Sequence, residues 1–177
     1  MDQLKQIIPE LEQTVTEFTQ TLSLFSREQF NKVPFKDSWT AGQVGRHIQK
    51  ALEGMPDLLQ HGKVKPTEGS PEEKTEMIDA DFLNFNIKMK SPDFIKPEDT
   101  SFGKDELVQS LNGIAKKTAE AAKDKDLSLT SLAFELPVYG HLTLYEMLHF
   151  GKVHTQRHIR QLQKIYQKVS GKELIDK

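Results

Sequence analysis

The chain contains no cysteine, which excludes disulfides, thiolate metal sites, iron–sulfur clusters and cysteine nucleophiles before any motif is read. A metal ion, if one binds, must be held by His, Asp or Glu. Long apolar runs are also missing: nothing approaches the roughly 20 residues needed to span a bilayer. The first residues, MDQLKQIIPELEQ, lack the basic start and apolar run of a secretory signal. These absences make the cytoplasm the expected location. Charge of one sign is lacking too. With 24 Lys and Arg against 26 Asp and Glu the formal net charge is −2, and the basic residues are interspersed with acids rather than gathered in a stripe, so nucleic-acid partners are not expected.

What remains is the composition of a globular protein, with 36% apolar and 28% charged residues in a 177-residue chain. A length of this order suits one domain with one core, so a single domain over residues 1–177 is expected. No repeat of fixed period appears, which removes solenoids.

Four segments carry helical periodicity. Leu4, Ile8, Leu11, Val15, Phe18, Leu22 and Phe25 recur at steps of four and three and draw the stripe of a first helix. Pro9 places its start nearby or kinks its first turn. Thr40-Ala41-Gly42-Gln43 has the form of a capping box and predicts the start of a second helix. Its inward face reads Val44, His47, Ile48, Ala51, Leu52 and Met55, with a kink near Pro56 or a stop by Gly62. A third helix runs from about Lys104 to Lys123. A fourth follows a second capping box at Thr143–Glu146, with Leu144, Met147, Gly151, His154, His158, Leu162 and Ile165 along one face. Between helices two and three lies a long crossover from Gly62 to about Pro97, in which Ser70-Pro71-Glu72-Glu73 predicts a short helix carrying Ile78, Phe82 and Phe85. The stretch LTSLAFELPVYGHLT is compatible with extended structure, but Pro137 and Gly140 favour a turn leading into helix four. The fold expected is all-α, a four-helix bundle with one long crossover.

Three histidines lie in the apolar stripes. His154 and His158 are four residues apart, which stacks their rings on one helix face about 6 Å apart at the backbone. Neutral imidazole at that spacing is a good ligand for Zn, Ni, Cu and Fe. Any one inward histidine alone reads as a core residue hydrogen-bonded to a neighbour. His47 supplies a third ligand on a second inward face, and three ligands leave coordination positions open for a substrate or an acidified water. His61 precedes a helix end, His141 falls in the turn, and His149 is expected at the surface or against a partner, so none of these is taken as a ligand. Trp39 is expected to staple back onto helix two near Gln43 or Val44. Arg46 and Arg157 adjoin proposed ligands in sequence and point to other faces. They read as solvated unless one reaches the cavity rim, where it would hold an anionic group.

The segments WTAGQVGRHI, SPDFIKPED, YGHLTLYEML and HTQRHIRQL together resemble the DinB-like bundle superfamily, over most of the chain. The family pattern of a Trp-Thr, a Gln and a His on helix two, with a His-x-x-x-His pair on the last helix, maps onto His47, His154 and His158 without departure. The resemblance implies an unusual helix order, a divalent metal (Zn or Ni foremost, Fe or Mn as further options) and a homodimer. It implies chemistry on small molecules: thiol-dependent S-transfer with bacillithiol or mycothiol, mycothiol-dependent isomerisation, or metal-dependent hydrolysis. Among these the leading expectation is an S-transferase in which a metal-bound low-molecular-weight thiol attacks an electrophile; the chain has no thiol of its own, so that nucleophile has to be supplied as cosubstrate. Hydrolysis is the alternative, although the residues between His154 and His158 are Thr155, Gln156 and Arg157, which is not a His-Glu-x-x-His motif. A metal-stabilised stress or interaction protein without turnover is the non-enzymatic alternative.

Overall fold

A computed structural model describes residues 3–172. A turn of 3₁₀ helix at Gln3–Gln6 leads into α1 (Ile7–Ser23). Pro9 falls in the first turn of α1, where its missing N–H breaks no intrahelical bond, so the helix starts beside it and is not kinked. The short α2 (Arg27–Phe30) and then α3 (Ala41–Leu52) follow, both opened by complete capping boxes, Ser26 with Gln29 and Thr40 with Gln43. The second predicted helix is divided. It pauses at Glu53 and Gly54, then resumes as α4 (Met55–His61), with Pro56 in its first turn and Gly62 at its end. The third predicted helix is α6 (Lys104–Ala122), and the fourth is the 27-residue α7 (Leu144–Ser170), capped by Thr143 with Glu146 and closed by Gly171 in the left-handed region.

These helices pack as the expected four-helix bundle: α1 lies against α6 and α7, while α3 lies against α6 and α7 and α4 against α6. Phe18 and Leu22 of α1, Val44 and Ile48 of α3, Leu107 and Leu111 of α6, and Leu148 and Leu162 of α7 meet in one apolar core. Gly151 lies where α3 packs closely on α7. A Cβ there would sit 3.2 Å from a methyl of Leu52, so that side chain would have to shift by a few tenths of an ångström to accept a larger residue.

Two expectations are corrected. The crossover helix α5 (Thr75–Phe82) opens later than Ser70-Pro71, because residues 71–74 form turns that dock on α7: the Lys74 N–H donates to buried Glu146 and the Thr143 hydroxyl donates to the Pro71 carbonyl. Phe85 lies beyond its end. The segment before α7 is a hairpin rather than a turn alone: β2 (Thr130–Leu136) pairs antiparallel with β3 (Gly140–Thr143), and β1 (Val64–Lys65) from the crossover completes a three-stranded sheet in the order β1-β2-β3. Pro137 and Gly140 do mark a turn, but it joins two strands, with Val138 and Gly140 at positive φ. Strand β2 shows no in–out alternation of burial, and its partner β1 lies some 65 residues earlier, so the pairing left no local pattern to read. Among the described residues no helix is long and apolar enough to cross a membrane.

Candidate metal centre

His47 sits two turns into α3, and His154 and His158 sit one turn apart in the middle of α7. The bundle brings all three together. His47 Nε2 lies 3.0 Å from His154 Nε2, and His158 Nε2 lies 3.2 Å from the same atom. In a tetrahedral site with Zn–N bonds near 2.0–2.1 Å, ligand nitrogens stand roughly 3.3 Å apart. Two edges of the nitrogen triangle are thus already close to that spacing, and the third lies within 4.8 Å. Among the described residues this is the one group of three His, Asp or Glu side chains whose donor atoms lie within 4.8 Å of one another.

The outer ring nitrogens decide which atoms face inward. His47 Nδ1 lies 2.9 Å from the Ile95 carbonyl oxygen, an acceptor only, so the proton of a neutral ring belongs on Nδ1 and Nε2 presents its lone pair to the centre. His158 Nδ1 is 2.7 Å from Oε1 of Gln161, one turn along α7, which favours the same tautomer. His154 Nδ1 is buried without a hydrogen-bond partner; its ring is fixed by Phe82 and Phe150, 5.7 and 5.5 Å away between centroids.

Burial pushes all three imidazoles below the ordinary histidine pKa. For His47 burial outweighs the opposing hydrogen bond to Ile95, and for His154 and His158 neighbouring histidines add to it, with His158 lowered to about 3. At neutral pH the rings are therefore uncharged, and the Nε2 atoms of all three face one small volume, with the lone pairs of His47 and His158 directed at His154 Nε2. A cation placed among them would take all three nitrogens as ligands. The donor set therefore fits a divalent ion, and neutral nitrogen ligands suit Zn, Ni, Cu or Fe.

The surroundings differ from several sequence expectations. Trp39 packs on α3 and reaches its second turn, with its ring against His47, 5.0 Å between centroids. His149 is neither at the surface nor free for a partner, because α5 covers that side of α7. It is buried, with Nε2 2.7 Å from Asp79. His141 lies on β3 rather than in a turn, and exposed His61 pairs with Asp57. Neither arginine is simply solvated. Arg46 pairs with Glu98, and Arg157 donates to the carbonyls of Phe82, Asn84 and Ile87. Glu146 caps α7, as its spacing from Thr143 implies. Sequence reasoning missed Gln161, Ile95, Phe82 and Phe150. The spacing of Gln161 three residues after His158 was the one available signal, since the others reach the site through the crossover or by packing on His154.

Comparison with known proteins agrees with this architecture. The sequence profile of the DinB superfamily matches residues 10–162. The chain is 23% identical over 149 residues to the uncharacterized protein YuaE of Bacillus subtilis (strain 168), covering 81% of this chain and 87% of YuaE. Its fold is similar to that of YfiT from Bacillus subtilis, described as a probable metal-dependent hydrolase with an unusual four-helix bundle topology. The TM-score is 0.61 at 15% identity, covering 96% of this chain and 89% of YfiT. A profile match over most of the length, on a bundle of the same topology, makes this chain a member of the DinB superfamily.

Proposed function

We propose that this protein is a metal-dependent enzyme whose His47, His154 and His158 hold one divalent ion, and that its reaction is transfer of a low-molecular-weight thiol to an electrophilic small molecule. The observation that carries the metal assignment is the convergence of the three Nε2 atoms, with the proton of His47 placed on its outer nitrogen by Ile95. A divalent ion held there would supply Lewis acidity, lowering the pKa of a thiol or water that coordinates it.

The protein's own part is positional. Ile95 and Gln161 orient two ligand rings, Phe82 and Phe150 fix the third, and Trp39 shields His47 from water. Two observations bear on the choice between thiol transfer and hydrolysis. The chain has no cysteine, so a thiol nucleophile must arrive as cosubstrate. Among the described residues no carboxylate is a hydrogen-bond or ion-pair partner of the three histidines, so a hydrolase would have to bring its general base to the metal-bound water from another element. Hydrolysis is the second reading, favoured by the description of YfiT.

The test supplies bacillithiol with a chlorinated aromatic or an epoxide to zinc- or nickel-loaded protein. The metal-free protein and a His154→Ala, His158→Ala double variant serve as controls. Thiol consumption above both controls supports the transferase. Metal-dependent cleavage of an ester or amide panel without thiol would replace it with the hydrolase. Metal-dependent stability with no turnover in either assay would leave a non-enzymatic metal protein.

A further inference from the structure

Residues 83–102, the last part of the crossover, run past the histidines without burying a single side chain. Apart from Phe102 at its end, which packs against the core, and a ring contact of Phe94 with Phe134 on β2, this segment is held largely by polar contacts, and such segments open locally at a small fraction of the global unfolding cost. Yet this one supplies the Ile95 carbonyl on which buried His47 depends.

The fastenings at its two ends are of different kinds. At the α5 end, Arg157 donates to the carbonyls of Phe82, Asn84 and Ile87, and Phe85 lies under the guanidinium groups of both Arg157 and Arg160. These are bonds to backbone and ring faces, tied to α7 itself. At the other end the fastening is ionic and half-exposed. Glu98 receives Arg46 at 3.1 Å and Lys50 at 2.9 Å, both on α3, the helix of His47. Lys50 also donates to the Lys96 carbonyl, and Gln43 approaches that of Glu98 at 3.4 Å. Farther on, Asn31 bonds both the N–H and the carbonyl of Phe102, which fixes where the segment rejoins the bundle. Ile95 therefore sits between a backbone-anchored clamp and a charge clamp only three residues away.

We infer that residues 83–102 form a strap gating the three-histidine centre, and that Glu98 is its releasable latch. The inference rests on the metal reading above. Releasing the Glu98 carboxylate leaves residues 95–98 with fewer bonds to α3, those of Lys50 and Gln43 to the Lys96 and Glu98 carbonyls, and so loosens the Ile95 acceptor at His47, while Arg157 and Asn31 keep the strap from detaching. Because the latch is made of half-exposed ion pairs, added salt should loosen it and leave the Arg157 clamp unaffected.

The experiment measures zinc transfer from the loaded full-length protein to an excess of a chromogenic chelator, for the wild type and for Glu98→Gln, at low and high sodium chloride. Hydrogen exchange of the Ile95 and Lys96 amides, which bond back to Pro92 and Asp93, is followed in parallel without metal. The expected result is release about threefold to tenfold faster in the variant, the range that weak exposed ion pairs can supply. Salt should accelerate the wild type toward the variant's rate, the two amides should exchange faster in the variant, and zinc content at saturation should be unchanged. Zinc bound one per chain but released at the same rate and with the same salt response in both proteins would overturn the strap alone. A wild type that holds no zinc would overturn the metal reading, and the gate with it.

Discussion

His47 and His154, 107 residues apart in the chain, bring their Nε2 atoms to 3.0 Å across the contact of α3 with α7. Neither helix can make this centre alone. The pair on α7 supplies two nitrogens on one face, and α3 must approach closely enough for a third to meet them, which Gly151 permits by leaving Leu52 room.

Removing a ligand should therefore abolish tight binding. About one metal per chain is expected in the wild type and little in His47→Ala or in the His154→Ala, His158→Ala double variant, by elemental mass spectrometry after gel filtration. Equal metal content in all three would mean that the histidines are structural.

Gln161→Ala removes the acceptor of His158 Nδ1 without touching a ligand. Changes of this kind cost about 10–100-fold in metal affinity. Competition with a zinc chelator should show a loss in that range, while an unchanged affinity would mean that Gln161 plays no part in orienting the ring.

Metal should stabilise the fold. At free metal one hundred times the dissociation constant the gain is about 2.7 kcal/mol. For a chain of this size that corresponds to a rise in Tm of roughly 5–10 °C. Differential scanning calorimetry with and without zinc measures it, and the double histidine variant should show no rise.

The metal-free protein should weaken in mild acid. The ordinary histidine value is 6.5, and burial holds the three folded-state values below it, with His158 at about 3. Below pH 6.5 the unfolded chain takes up protons that the folded chain refuses, so stability is lost as pH falls, by up to about 1.4 kcal/mol per pH unit for each fully excluded histidine. Above pH 7 both states are neutral and the slope vanishes. Glu98, held at about 2 by Arg46 and Lys50, acts in a separate window, below the 4.5 of an unpaired glutamate. Urea midpoints should be flat from pH 8 to 7 and fall from 6.5 to 5; a flat line throughout would mean that the imidazoles take up protons in place.

Asp79→Ala tests the contact that sequence reasoning did not foresee. It strands buried His149, whose Nδ1 already lacks a partner, and should cost about 1–3 kcal/mol of stability. Metal content should be unchanged, since His149 lies outside the ligand group. Denaturant unfolding and metal analysis on the same preparation separate the two effects.

The bundle was legible because amphipathic helices announce themselves locally. The stripe from Leu11 to Leu22, the boxes at Thr40 and Thr143 and the four-residue step from His154 to His158 are properties of a few consecutive turns, and each appears where its spacing puts it. The hairpin and its pairing with Val64, the cover that α5 places over His149, and the reach of Trp39 to His47 depend on segments tens of residues apart or on how far a side chain extends, and no local period encodes them. Sequence alone determined where the helices of the bundle run, which of their faces turn inward and that three imidazoles lie on those faces, because periodicity and capping are short-range physics. Only the tertiary structure decided that the three nitrogens meet at about 3 Å, that Ile95 and Gln161 orient two of the rings, and that a strap latched by Glu98 crosses beside them, because these follow from packing between elements.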